Sequence, residues 1–179
     1  MTDWNRIVRE HGRMVFGTAW RILGHAADAE DVVQEVFLEA HRLRQSQPVA
    51  NWAGLLRKMT AFRAVDCLRQ RKPVESLNGK SLAGLGHGPE ALAMERELAG
   101  RLRKALNHLT QQEATVFCLR YFEELSYQDI AESLAISTGA VAAALHKARA
   151  RLTVLLSEEP KEICHEPTTP GPTRSGSAG

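Results

Sequence analysis

Cysteine is scarce: Cys67, Cys118 and Cys164 are the only three in 179 residues, and none belongs to a CxxC pair. Neither a disulfide scaffold nor a four-ligand zinc site is expected from them, and a reducing cytoplasm fits. Long apolar runs are also missing, so no membrane insertion is expected. The opening segment Met1–Arg6 has no basic stretch leading into an apolar one, so no secretory signal peptide is expected either. Neither sign of charge prevails. With 23 Lys and Arg against 21 Asp and Glu, the formal net charge of +2 says little about partners.

Catalytic signals are equally thin. The histidines (His11, His25, His41, His87, His108, His146, His165) never fall at His-x3-His spacing, and no metal or other cofactor is expected. No Ser/His/Asp or Cys/His arrangement has a supporting scaffold, and no glycine-rich phosphate loop stands at a strand–helix junction. The chain is not expected to be an enzyme.

What the sequence does have is charge sorted along its length. Residues 28–39 carry Asp28, Glu30, Asp31, Glu35 and Glu39 and no Lys or Arg. Residues 57–72 carry Arg57, Lys58, Arg63, Arg69, Arg71 and Lys72 against Asp66 alone. One such run would read as a solvated helix face. Two opposed blocks suggest two charged partners, or one face pairing with the other. The basic block, with apolar residues interleaved, could lie along phosphates.

Apolar spacing is helical throughout, so the expected class is all-α. The pattern runs from Trp4 to Leu23, with Gly24 as a stop, and from Asp28 to Leu43, where Pro48 closes it. A third helix is expected from Asn51 to Arg71, with Leu55, Leu56, Met59, Phe62, Val65 and Leu68 facing inward. Residues 74–91 are rich in glycine and serine, as a flexible linker would be. Helical spacing returns from Leu92 to Leu109, including Leu98, and from Gln112 to Phe122. The expected organisation is two small helical domains, 1–73 and 92–156, joined by that linker. A disordered tail, 157–179, follows.

The sharpest local pattern is a helix-turn-helix. Ser126-Tyr127-Gln128-Asp129 has the form of a capped helix start, Ile130, Ala131 and Leu134 supply a short buried stripe, and Ala135-Ile136-Ser137 makes the turn. Val141, Leu145, Ala148 and Leu152 then repeat on one face of a longer helix. Ser137 and Thr138 at its head, and Lys147, Arg149 and Arg151 further along, are candidate DNA contacts. Asp129 reads as a cap rather than an acid catalyst.

These residues carry a resemblance. Arg9-Glu10-His11-Gly12 and Ala27-Asp28-Ala29-Glu30-Asp31-Val32-Val33-Gln34-Glu35-Val36-Phe37 resemble the polymerase-binding region of extracytoplasmic-function sigma factors. Ala64-Val65-Asp66-Cys67-Leu68-Arg69-Gln70-Arg71 is similar to their minus-10 region. Val116-Phe117-Cys118-Leu119-Arg120-Tyr121 and Leu125–Ala131 resemble their minus-35 domain. The resemblance implies a region 2 bundle and a region 4 helix-turn-helix. It implies that Asp28, Asp31, Gln34 and Glu35 dock on core RNA polymerase, and that the basic helix holds promoter DNA. The loop Gln45–Asn51 would sit where the family captures a flipped base, with Trp52 either a stacking platform or, by its type, core. An anti-sigma factor is a further partner it admits.

Two departures stand out. Leu55 and Phe62 replace the Trp and Asn common in the family and read as core substitutions. In the recognition helix, Gly139-Ala140-Val141-Ala142-Ala143-Ala144-Leu145 puts alanine where polar side chains usually reach DNA. Alanine can touch a thymine methyl but cannot donate or accept a hydrogen bond. A stand-alone helix-turn-helix regulator, or a degenerate sigma-like module that sequesters a partner, are the alternatives.

Overall fold

The computed structural model describes residues 3–70 and 89–157, with side chains in the second stretch from residue 93 onward. Most of the expected linker, the tail beyond Ser157, and the candidate contacts Arg71 and Lys72 lie outside the described residues. Among the described residues all regular structure is helical, in seven elements.

Helices α1 (Trp4–Leu23), α2 (Ala26–Ser46) and α3 (Trp52–Gln70) pack on one another. Asp3 caps α1 by accepting from the Asn5 amide at 3.1 Å. The chain leaves α1 through Gly24 at φ +67°, whose amide donates to the Trp20 carbonyl. That left-handed stop was legible in the sequence, because glycine alone enters it without steric cost. Asn51 starts α3 by accepting from the Gly54 amide at 2.9 Å. Ile7, Val15, Ala19, Ile22, Val32, Val36, Leu56 and Val65 form the core between the three helices. Burying each of the larger ones contributes about 1.5–3 kcal/mol.

Helices α4 (Pro89–Leu106), α5 (Gln111–Tyr121), α6 (Tyr127–Leu134) and α7 (Thr138–Ser157) make the second group. Capping boxes open α5 (Thr110 with Glu113) and α6 (Ser126 with Asp129), as expected for the second. Leu106, Leu109, Val116, Leu119, Ile130, Val141, Leu145 and Leu152 fill this core.

Two inward assignments fail. Phe62 is 47% exposed. Helix α3 buries a broad face, since α1 and α2 cover one side and α5 another, and that face is centred on the small residues Thr60, Ala61 and Ala64. Phe62 falls on its rim. Leu98 is 59% exposed because α4 buries only its end, at Ala105 and Leu106, and its first half runs beyond its neighbours. The helix also begins at Pro89, three residues before the expected start, where proline is tolerated in a first turn.

Candidate nucleic-acid interface

Helix α2 presents Asp31, Gln34 and Glu35 to solvent as one stripe, opposite buried Val32 and Val36. Asp28 is half-buried, 3.4 Å from the His25 Nδ1. Glu39 leaves the stripe, since its Oε2 accepts from Arg63 Nε at 3.2 Å and from Nη2 at 2.9 Å. That hydrogen bond is the main reason the Arg63 guanidinium pKa is raised. Beside the stripe lies a groove of about 510 Å³ lined by Trp4, Val33, Gln34, Phe37, Leu38 and His41. Leu38, on its wall, is 61% exposed.

Trp52 is half-buried, edge-on to Trp4 at 5.9 Å between ring centres. Trp4 also meets Phe37 and His41, and Arg44 lies 5.1 Å from its ring centre. An aromatic cluster therefore backs the loop that the resemblance gives to a flipped base.

Among the described residues, the basic block is not one surface. Lys58 is half-buried, Arg63 is tied back to α2, and Arg69 Nη1 donates to Gln111 Oε1 at 3.1 Å. Arg57 Nε lies 3.4 Å from Glu123 Oε2. The latter two partners belong to the second helical group, far away in sequence.

In the helix-turn-helix, Ser137 Oγ accepts from the Ala140 amide at 3.1 Å and so caps α7 as expected, with Thr138 exposed beside it. Lys147 is exposed. Arg149 Nε donates to the Tyr121 hydroxyl at 2.7 Å and Nη2 to the Tyr127 hydroxyl at 3.4 Å. Those two bonds raise its pKa, fixing the cation beside two aromatic rings. Arg151 Nη1 is held by Glu113 Oε2 at 2.7 Å. Ala142 and Ala143 do face outward, but Ala144 is buried and belongs to the core. His146 shares the outward face one turn after Ala142, a candidate that sequence reading passed over because its partners there are alanines. The Tyr121 and Tyr127 contacts were also missed, since nothing in the spacing ties them to α7.

The two thiols among the described residues are poor nucleophiles. Burial pushes the Cys118 pKa up strongly, and burial with the Glu35 and Asp31 charges raises that of Cys67. Among the described residues no group of three His, Cys, Asp or Glu could hold a metal ion, and no helix is long and apolar enough to cross a membrane.

Comparison with known proteins places this geometry. Residues 7–74 match the Sigma-70 region 2 family, and residues 99–152 match Sigma-70, region 4. The ECF RNA polymerase sigma factor SigE of Mycolicibacterium smegmatis is 28% identical over 166 residues, 90% of this chain and 65% of SigE. The chain thus spans just under two thirds of that relative. SigW of Bacillus subtilis, also an ECF RNA polymerase sigma factor, is 26% identical over 77% of this chain and 80% of its own. Among solved structures, CnrH in complex with the cytosolic domain of CnrY superposes with a TM-score of 0.58 at 23% identity, covering 86% of each chain. The sigma factor RpoE of Bartonella quintana, in complex with the anti-sigma factor NepR, gives 0.55 at 20% identity over 89% of this chain and 99% of that one.

Proposed function

The chain belongs to the extracytoplasmic-function group of sigma-70 factors, and from that membership we propose that it is a cytoplasmic specificity subunit of RNA polymerase. It binds the core enzyme, directs it to promoters for transcription initiation, and leaves the chemistry to the polymerase. Residues 1–73 form the polymerase and minus-10 half, and residues 92–156 the minus-35 half. The carrying observation is the exposed acidic stripe of Asp31, Gln34 and Glu35, with no arginine or lysine on the same stretch of helix. An operator-binding regulator has no use for it. Asp28 flanks the stripe, and Leu38 adds apolar area beside it. Arg57, Lys58, Arg63, Arg69, Arg71 and Lys72 serve DNA near the melted bubble, and Ser137, Thr138, Lys147, Arg149 and Arg151 serve upstream phosphates. An anti-sigma factor is a further partner of the same surfaces.

Charge reversal tests the stripe. Asp31→Lys with Glu35→Lys should abolish co-purification with core polymerase and run-off transcription, with helicity by circular dichroism unchanged. Normal polymerase binding by that variant would sink the assignment. The partner-sequestering alternative draws on the outward alanines of α7, and a wild-type chain that binds core polymerase but starts no transcript would favour it.

A further inference from the structure

On the outward side of α7, Ala142, His146 and Arg149 follow one another at helical spacing, and all three are exposed. Among the basic residues proposed for promoter DNA, Arg57, Arg63 and Arg151 face carboxylates. Arg149 is held differently, by the hydroxyls of Tyr121 at the end of α5 and of Tyr127 at the start of α6. Hydroxyls restrain the guanidinium without cancelling its charge.

The atoms used decide what remains for a ligand. Nε donates to Tyr121 Oη at 2.7 Å and Nη2 to Tyr127 Oη at 3.4 Å, so the tyrosines take the side edge of the guanidinium plane. Arginine presents its N–H donors in a rigid fork. The hydrogens of Nη1 remain, and among the described residues that atom has no hydrogen-bond partner. The end edge, Nη1 with Nη2, can therefore grip a phosphate through two parallel bonds.

The tyrosines are themselves held. The Tyr121 ring centre lies 4.6 Å from that of Phe117, which packs against the core. The Arg120 guanidinium lies 5.9 Å from the Tyr127 ring centre, and its Nη1 donates to the Leu125 carbonyl at 3.1 Å. Such support matters on a helix whose outward alanines make no hydrogen bond to a base, because phosphate contacts then set the register on the duplex. A free exposed arginine loses side-chain freedom on binding, and one already oriented has less to lose.

We propose that Tyr121 and Tyr127 are positioning residues, which hold Arg149 by its side edge so that its end edge clamps one phosphate of the upstream duplex. That the duplex is promoter DNA rests on the sigma-factor reading. The clamp itself needs only a phosphate backbone beside α7.

The test measures binding of the full chain to a short fluorescent duplex of mixed sequence, because a phosphate contact does not depend on sequence. Anisotropy is read over a series of sodium chloride concentrations, with circular dichroism as the folding control. Arg149→Ala should weaken binding and lower the salt slope by about one counterion. Tyr121→Phe with Tyr127→Phe keeps both rings and the cation, and should weaken binding by about three- to tenfold with the slope unchanged. Arg149→Lys should do the same, since an ammonium cannot use two edges at once. In the Arg149→Ala background the two tyrosine changes should have no further effect. An equal loss in that background overturns the positioning role, because the hydroxyls would then act without Arg149. Wild-type affinity in Arg149→Ala overturns the phosphate site, as does a wild-type chain that does not bind the duplex. The sigma-factor reading survives both results, since polymerase co-purification tests it through α2. A wild-type chain that does not bind core polymerase defeats that reading instead, and the salt series still decides the clamp.

Discussion

Between α6 and α7 the chain turns through Ala135 at φ +55°, a left-handed conformation in a residue that has a Cβ. Relief of that clash is worth roughly 1–2 kcal/mol, and the extra freedom of an unfolded glycine takes back roughly 0.4–1 kcal/mol. Ala135→Gly should therefore stabilise the protein by about 0.5–1 kcal/mol, read as a higher urea midpoint. One turn earlier, hydrogen bonds from the Ser126 hydroxyl and amide hold the Asp129 carboxylate below its usual pKa range. A depressed folded pKa contributes stability that is present above the ordinary carboxylate value and is lost as pH falls through the folded one. Asp129→Asn should remove that acid-side loss, seen by comparing urea midpoints near about pH 6 and about pH 3. Arg151 is a third case. Its partner Glu113 is buried and also accepts from the Thr110 amide, whereas Lys147 stands exposed. Arg151→Ala should cost about 1–2 kcal/mol of stability, half-exposure of the arginine keeping the figure low. Lys147→Ala should stay within about 0.5 kcal/mol and should weaken DNA binding.

At the scale of an element, the proposed function has α7 and α3 meet DNA by different means. The outward side of α7 offers Ala142 and Ala143, with His146 and Lys147 a turn later. A good bidentate base contact discriminates by about 1–3 kcal/mol, and the alanines supply none. Scrambling the minus-35 element, with local stiffness kept, should lower run-off transcription only slightly, since shape and phosphate contacts remain. A loss of a hundredfold on single base changes would show that other side chains read the bases. On the same proposal, helix α3 works by charge. Substituting Arg63 and Arg69 with alanine should weaken open-complex formation and flatten its salt dependence by about one counterion per lost phosphate contact. Polymerase binding should survive. Arg63→Ala carries a second effect, because it also frees Glu39 on α2.

At the scale of the whole molecule, the packing of α3 on α5 and the bonds from Glu123 to Thr18 and Arg57 tie the two halves together. Trp4, Trp20 and Trp52 are the only tryptophans, and all lie in the first half, so tryptophan fluorescence reports that half alone. Leu119 is fully buried in the second half. Leu119→Ala should cost about 2–5 kcal/mol there and should also lower the thermal midpoint seen by tryptophan fluorescence. Adding Glu123→Ala should return that midpoint toward the value of the Glu123→Ala single variant. A tryptophan midpoint indifferent to Leu119→Ala would mean that the halves unfold independently.

The elements themselves were legible because their causes are local. Gly24 ends α1, Ser126 and Asp129 open α6, Ser137 caps α7, and Val32, Val36 and Ala40 mark the buried side of α2, all from contacts within one or two turns. Local chemistry also exposed the acidic stripe, since residues at helical spacing share a face whatever surrounds them. Phe62, Leu98 and Ala144 were misplaced because burial depends on how many neighbours a helix acquires, and spacing along one helix cannot count them. Glu123 with Thr18 and Arg57 with Glu123 are separations that no periodicity reaches. Helices, caps and the sorting of charge follow from neighbours along the chain; which arginines already hold a carboxylate follows from folding, because that depends on which distant surfaces meet.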